Sequence, residues 1–178
     1  MKNSILCLAS LFLFIFPSCE KDDDGSTIGG VERGTIIANI NGDNFKNTTA
    51  TSTISPILSS ELFRIAAAGN ANSILIDFSI PMGEFLEASN YSFDYTCEVG
   101  IDGICGVLTY TDIVSLSPIQ TDSYSSKIEA GDFDIEITAL DYRSGGFIAG
   151  TFSGTVVSID DNSKSFTVTD GKFNVDIN

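Results

Sequence analysis

Histidine and tryptophan are absent from all 178 residues, and each absence excludes something. Without histidine the chain lacks the commonest acid–base group near neutral pH. A zinc site built on a cysteine pair would have to be completed by carboxylates, which is uncommon. Without tryptophan it lacks the largest flat surface for stacking on a sugar ring. Basic residues are scarce as well, with nine Lys and Arg against 24 Asp and Glu, for a formal net charge of −15. A surface of that sign repels nucleic acid and anionic headgroups and keeps a domain soluble. No Gly-x-Ser-x-Gly elbow, phosphate loop or dinucleotide fingerprint is present. The expectation is a noncatalytic protein with no cofactor, no metal and no nucleic-acid partner. A carboxylate pair of the kind that hydrolyses glycosides cannot be picked out among so many acids.

Long hydrophobic runs are lacking too. Ile5 to Phe16 is the apolar stretch, and it falls well short of the ~20 residues that a spanning helix needs. With Lys2 before it and Ser18-Cys19 after it, the run reads as an export signal over residues 1–18. Cys19 is the expected lipidation site, since a small residue followed by cysteine is what lipoprotein processing requires. Two or three acyl chains on Cys19 would anchor the protein stably, where a single chain is marginal. Removing residues 1–18 takes away one lysine and no acid, so the mature chain is more negative by one charge. Residues 19–34 combine charge with glycine and show no apolar periodicity, and so are expected to be a lipidated, flexible acidic tether reaching roughly 20 Å.

Residues 35–178 suit one domain with a sizeable core. Strand signals follow one another at Thr35–Asn41, Leu62–Ala68, Ser73–Ile80, Tyr91–Thr96, Val107–Thr111, Phe133–Leu140, Phe147–Ile159 and Phe166–Ile177, with turn residues between them. The one helix candidate is a short turn at Gly83–Asn90. This pattern predicts an all-β fold, an antiparallel β-sandwich of about 8–10 strands, with a flattened lipocalin-like barrel as the alternative. In Asp132–Thr138 the alternation is strict. Phe133, Ile135 and Ile137 share one face, and Asp132, Asp134 and Glu136 share the other. Alternate positions lie ~7 Å apart, too wide for one cation without help, so the acidic face is read as a solvent face. Near the C-terminus the phase changes across Asp170-Gly171. Either a two-residue hairpin or a bulge in one long strand would produce that change, and matching strand lengths favour the bulge.

Four cysteines occur. Cys7 leaves with the signal and Cys19 takes lipid, so Cys97 and Cys105 remain, flanking a stretch whose Gly100-Ile101-Asp102-Gly103 resembles a hairpin tip. A disulfide between them is expected in an oxidising envelope, with free thiols as the alternative. Thirteen phenylalanines, ten of them beyond the signal, are expected to fill a core; lining a pocket is the alternative. Tyr124, within the polar segment Gln120–Lys127, is the tyrosine expected to be exposed. Together with Asp102 it is a candidate binding residue.

Three stretches carry a resemblance. They are Ala38-Asn39-Ile40-Asn41-Gly42-Asp43-Asn44-Phe45, Gly150-Thr151-Phe152-Ser153-Gly154-Thr155-Val156 and Phe166-Thr167-Val168-Thr169-Asp170-Gly171-Lys172-Phe173-Asn174-Val175. They resemble an uncharacterised all-β lipoprotein family of the Bacteroidota, in which a Gly-Thr-Phe strand precedes a final Gly-Lys-Phe strand. The resemblance implies an all-β lipoprotein with no catalytic residues to transfer. It also implies that the acidic stretch after Cys19 directs the protein to the outer membrane, on the cell surface. Two functions are then expected as alternatives: a noncatalytic recognition or accessory module for a glycan, peptide or envelope protein, and a carrier of a small apolar ligand.

Overall fold

A computed structural model describes residues 27–57, 60–98 and 101–178. The signal, Cys19 and residues 20–26 lie outside the described residues, as does Gly100. Among the described residues thirteen strands follow in chain order: β1 (Thr27–Ile28), β2 (Val31–Glu32), β3 (Thr35–Ile40), β4 (Asp43–Lys46), β5 (Thr49–Ile57), β6 (Ser60–Ala68), β7 (Asn72–Pro81), β8 (Asn90–Asp94), β9 (Cys105–Leu116), β10 (Ile119–Ser125), β11 (Asp132–Asp141), β12 (Phe147–Ser158) and β13 (Ser165–Asp176). The count exceeds the expected eight to ten because short pairs such as β1–β2, and threonine- and serine-rich strands such as β5 and β10, lack an apolar signature. The described residues contain no helix, so none is long and apolar enough to cross a membrane. The segment after Gly83 runs irregularly, with Leu86 alone inserted into the core.

The architecture is an antiparallel β-sandwich. One layer runs β4–β3–β13–β12–β11–β8 and the other β5–β6–β7–β9–β10; they join where Val157 and Ser158 of β12 pair with Ser125 and Tyr124 of β10. At the far side β5 meets the end of β13 and the residues after it through an isolated bridge, Ser52 to Ile177, with the Ser52 hydroxyl donating to Asp176 O at 2.5 Å and Asn178 N donating to Ser52 O at 3.1 Å, and no continuous ladder forms among the described residues. The sheet therefore does not close into a barrel. Period-two alternation supplies the core. In β3, in β7 from Ile74 and in β11 as far as Ile137, every second residue is buried, because a strand's side chains alternate between faces. Phe63, Phe78, Phe133 and Phe173 are fully buried. Phe78 of one layer lies 6.2 to 6.4 Å, ring to ring, from Phe93, Phe133 and Tyr91 of the other.

Three local features differ from the sequence expectation or decide between its alternatives. Thr27–Gly34, expected as part of the tether, forms a small hairpin that packs on the domain. Arg33 pairs with Asp176 at 2.5 Å, its guanidinium lies 5.2 Å from the Phe147 ring, and Asn174 Nδ2 donates to Val31 O. Between Asp170 and Gly171 the chain continues as one strand with a bulge: registers shift there against both β12 and β3, and Asp170 has φ 53°. A Cβ on Gly171 would stand 2.4 Å from Phe152 O, so only glycine lets the two backbones approach this closely.

The third feature is the disulfide. Cys97 and Cys105 are bonded, with Cα atoms 5.8 Å apart, but they do not close a hairpin. β8 pairs with β11, whereas β9 pairs with β7 and β10. The bond therefore ties the edge of one layer to the middle of the other. Gly106 beside it makes room for Phe93, whose ring would lie 2.3 Å from an added Cβ.

Candidate functional site

The acidic face of β11 is one part of a larger polar surface. Register brings Asn90, Glu136, Thr151 and Lys172 into a row across β8, β11, β12 and β13, and a second row runs Ser92, Asp134, Ser153. These side chains point away from the core because their neighbours Ile135, Phe152 and Phe173 point into it. Bulges in β12 and β13 add local twist and bend. The surface is depressed here, an open hollow of about 560 Å³ between these rows and Asp170. Tyr91 borders the depression but commits its ring to the core, 6.1 Å from Phe93, while its hydroxyl meets the backbone of Glu87 at 3.0 and 3.3 Å.

Three carboxylates, one ammonium, three hydroxyls and one amide thus face a single open hollow. The Ser92 hydroxyl donates to Asp134 Oδ1, which orients one carboxylate. One row further along, the Thr155 amide donates to Asp132 Oδ1 at 2.6 Å. Beyond that, hydrogen bonds from the Thr96 hydroxyl and amide hold Asp94 below the usual carboxylate range. Such an array accepts and donates hydrogen bonds in many directions, as vicinal hydroxyls on a saccharide require. Among the described residues no group of three or more acidic or cysteine side chains is placed to hold a metal ion.

The residues singled out in the sequence lie elsewhere. Tyr124 is buried, and its ring stacks on Phe166 at 4.3 Å and lies tilted to Tyr110 at 6.1 Å. The expectation of exposure fails because Tyr124 is the one large side chain turned inward in a strand whose neighbours are polar. Burial, with Asp122 nearby, raises its phenol. Asp102 is exposed, but its Oδ2 accepts from the Glu98 amide at 2.9 Å, bracing the loop between the cysteines. Neither residue borders the hollow, and Cys19 is outside the described residues. Asp134 and Glu136 were legible as a polar face. Ser92, Ser153, Thr151 and Lys172 join them only through strand pairing. Compared with protein-family models, curated proteins and solved structures, the chain matches none.

Proposed function

We propose that the chain is a lipid-anchored, noncatalytic recognition module that holds a glycan in the hollow of β8, β11, β12 and β13. In this reading Cys19 carries the lipid, the outer membrane holds the protein, and the sandwich stands outside it on the residues before Thr27. The observation that carries the reading is the pair of polar rows, Asn90–Glu136–Thr151–Lys172 and Ser92–Asp134–Ser153, lining one concave surface. Carboxylates there accept hydrogen bonds from hydroxyl pairs, and Lys172 donates to ring or linkage oxygens. Without a stacking aromatic the affinity rests on hydrogen bonds alone, each worth ~1 kcal/mol net and more to a charged group. A carrier function has less support, because phenylalanines fill the space between the layers.

Two experiments test the two halves of this reading. A glycan array probed with the purified chain is expected to retain a defined set of oligosaccharides. Glu136→Gln or Lys172→Ala should weaken binding about tenfold, the loss of one charged hydrogen bond. Retention of nothing, or retention indifferent to both substitutions, contradicts the glycan reading. Cys19→Ser in the full chain is expected to move the protein from the membrane fraction to the soluble fraction and to abolish incorporation of labelled fatty acid. Unchanged fractionation with no label on the wild type contradicts the anchor.

A further inference from the structure

A second cleft opens at one end of the sandwich. About 270 Å³ in volume, it is lined by Ile40, Phe45, Tyr110 and Phe166 below and by Asn41, Asp43, Asn44, Asn72 and Asp112 around the mouth. Tyr110 and Phe166 meet edge to face at 5.7 Å, and Asn72 Nδ2 donates to the Tyr110 hydroxyl at 3.5 Å. Burial raises the Tyr110 phenol, and the nearby charges of Asp112 and Asp43, both of which line the cleft, act in the same direction. Aromatic faces beneath with carboxylates at the rim are the usual surroundings of a bound ammonium or guanidinium group.

Beside the cleft an arm extends past the sheet. β9 pairs with β7 only as far as Asp112, and β10 pairs with β12 only at Tyr124 and Ser125. Among the described residues, the hairpin from Val114 to Asp122 therefore has no strand on either side. Its end carries Val114, Leu116 and Ile119, which are 52%, 79% and 75% exposed. Exposed apolar side chains gathered on one protrusion mark an interaction surface. Their surroundings are acidic: Asp112 and Asp122 face each other across the base of the arm, and Asp160 and Asp161 occupy the adjoining turn, where Lys164 is already paired with Asp161 at 3.6 Å.

We infer that this cleft and arm form a docking surface for a basic protein partner, which inserts a lysine or arginine side chain between Asp43 and Asp112 and covers Leu116 and Ile119 with apolar surface. Two features select that occupant. A second copy of this chain would bring like-charged rims together, which costs binding energy. The β1–β2 hairpin is held beside Asn174 and Asp176, whereas the cleft is lined by Phe166, so the two lie at opposite ends of β13 and the hairpin does not cover the cleft.

The test is a titration of the full chain, followed by NMR, with the tripeptide acetyl-Leu-Arg-Leu-amide. The same peptide with citrulline in place of arginine and acetyl-arginine-amide serve as comparisons. Shifts are expected at Asp43, Asp112, Tyr110 and Phe166. Affinity should fall at least fivefold with citrulline or in Asp43→Asn/Asp112→Asn, and about threefold in Leu116→Ser/Ile119→Ser, consistent with losing part of the burial of two side chains. Equal binding of the citrulline peptide, shifts scattered over the acidic surface, or indifference to the Asp substitutions would overturn the cationic pocket. Binding of acetyl-arginine-amide as tight as that of the tripeptide would overturn the role of the arm. All four side chains are exposed or half-buried, and thermal melting of each variant separates lost binding from lost folding.

Discussion

Tyr142 lies where β11 leaves the core, its ring 5.8 Å from Phe63 and its hydroxyl donating to Glu61 Oε2 at 3.3 Å. Burial, reinforced by the negative charge of Glu61, pushes its phenol up to about 12. An unfolded chain releases that proton near pH ~10. The folded state therefore holds the proton more tightly, and the associated stability is complete below about pH 10 and lost as the pH rises through the folded value. Ultraviolet titration should reveal a tyrosine ionising late, and Tyr142→Phe should remove it and lessen the loss of stability in that window. Burial raises Tyr110 and Tyr124 as well, so the readout is the amplitude near pH 12, and an undiminished amplitude there in the variant would contradict the assignment. Phe133 tests the core: fully buried, with rings of Phe93 at 5.9 Å and Phe78 at 6.4 Å, it should cost ~3 to 5 kcal/mol when replaced by alanine, as measured by urea unfolding. Its burial was legible from alternation in β11. That of Tyr124 was not, because a strand contributing one inward aromatic between serines and aspartates reads as a loop.

At the scale of elements, the disulfide has the clearest energetic consequence. Cys97 and Cys105 close a loop of sequence separation 8, for which the chain-entropy model gives about 2 to 3 kcal/mol. Cys97→Ser/Cys105→Ser should lower unfolding stability by about that amount, with the urea dependence of the transition equal to or slightly steeper than that of the wild type because the unfolded chain is less restricted, and reductant should do the same to the wild type. The bond itself could be expected from spacing. Its role as a link between layers could not, because that depends on β8 pairing with β11 across the intervening residues 95–131, by a register visible only in the fold. The bulge at Asp170-Gly171 was legible from the phase change alone. β5 and β10 were not, since Thr49–Ile57 and Ile119–Ser125 mix small polar residues whose pairing, rather than hydrophobicity, makes them strands.

At the scale of the whole molecule, strand periodicity and turn spacing were enough to predict a sandwich, because each layer must bury one face of many short strands. The hollow was hidden for the opposite reason. Its side chains come from residues 90–92, 134–136, 151–153 and 170–172, and nothing within any one of those segments says that the others lie beside it. The glycan reading places recognition on the outer face of one layer, and the cleft beside the β9–β10 arm lies at one end of the sandwich, so variants in one should leave the other unchanged. The most direct measurement is an amide chemical-shift map of the chain with an oligosaccharide retained on the array. Shifts centred on Ser92, Asp134, Glu136, Thr151, Ser153 and Lys172 are the predicted result. Shifts confined to the loop between Cys97 and Cys105 or to the β9–β10 arm, or no retained oligosaccharide at all, would contradict it.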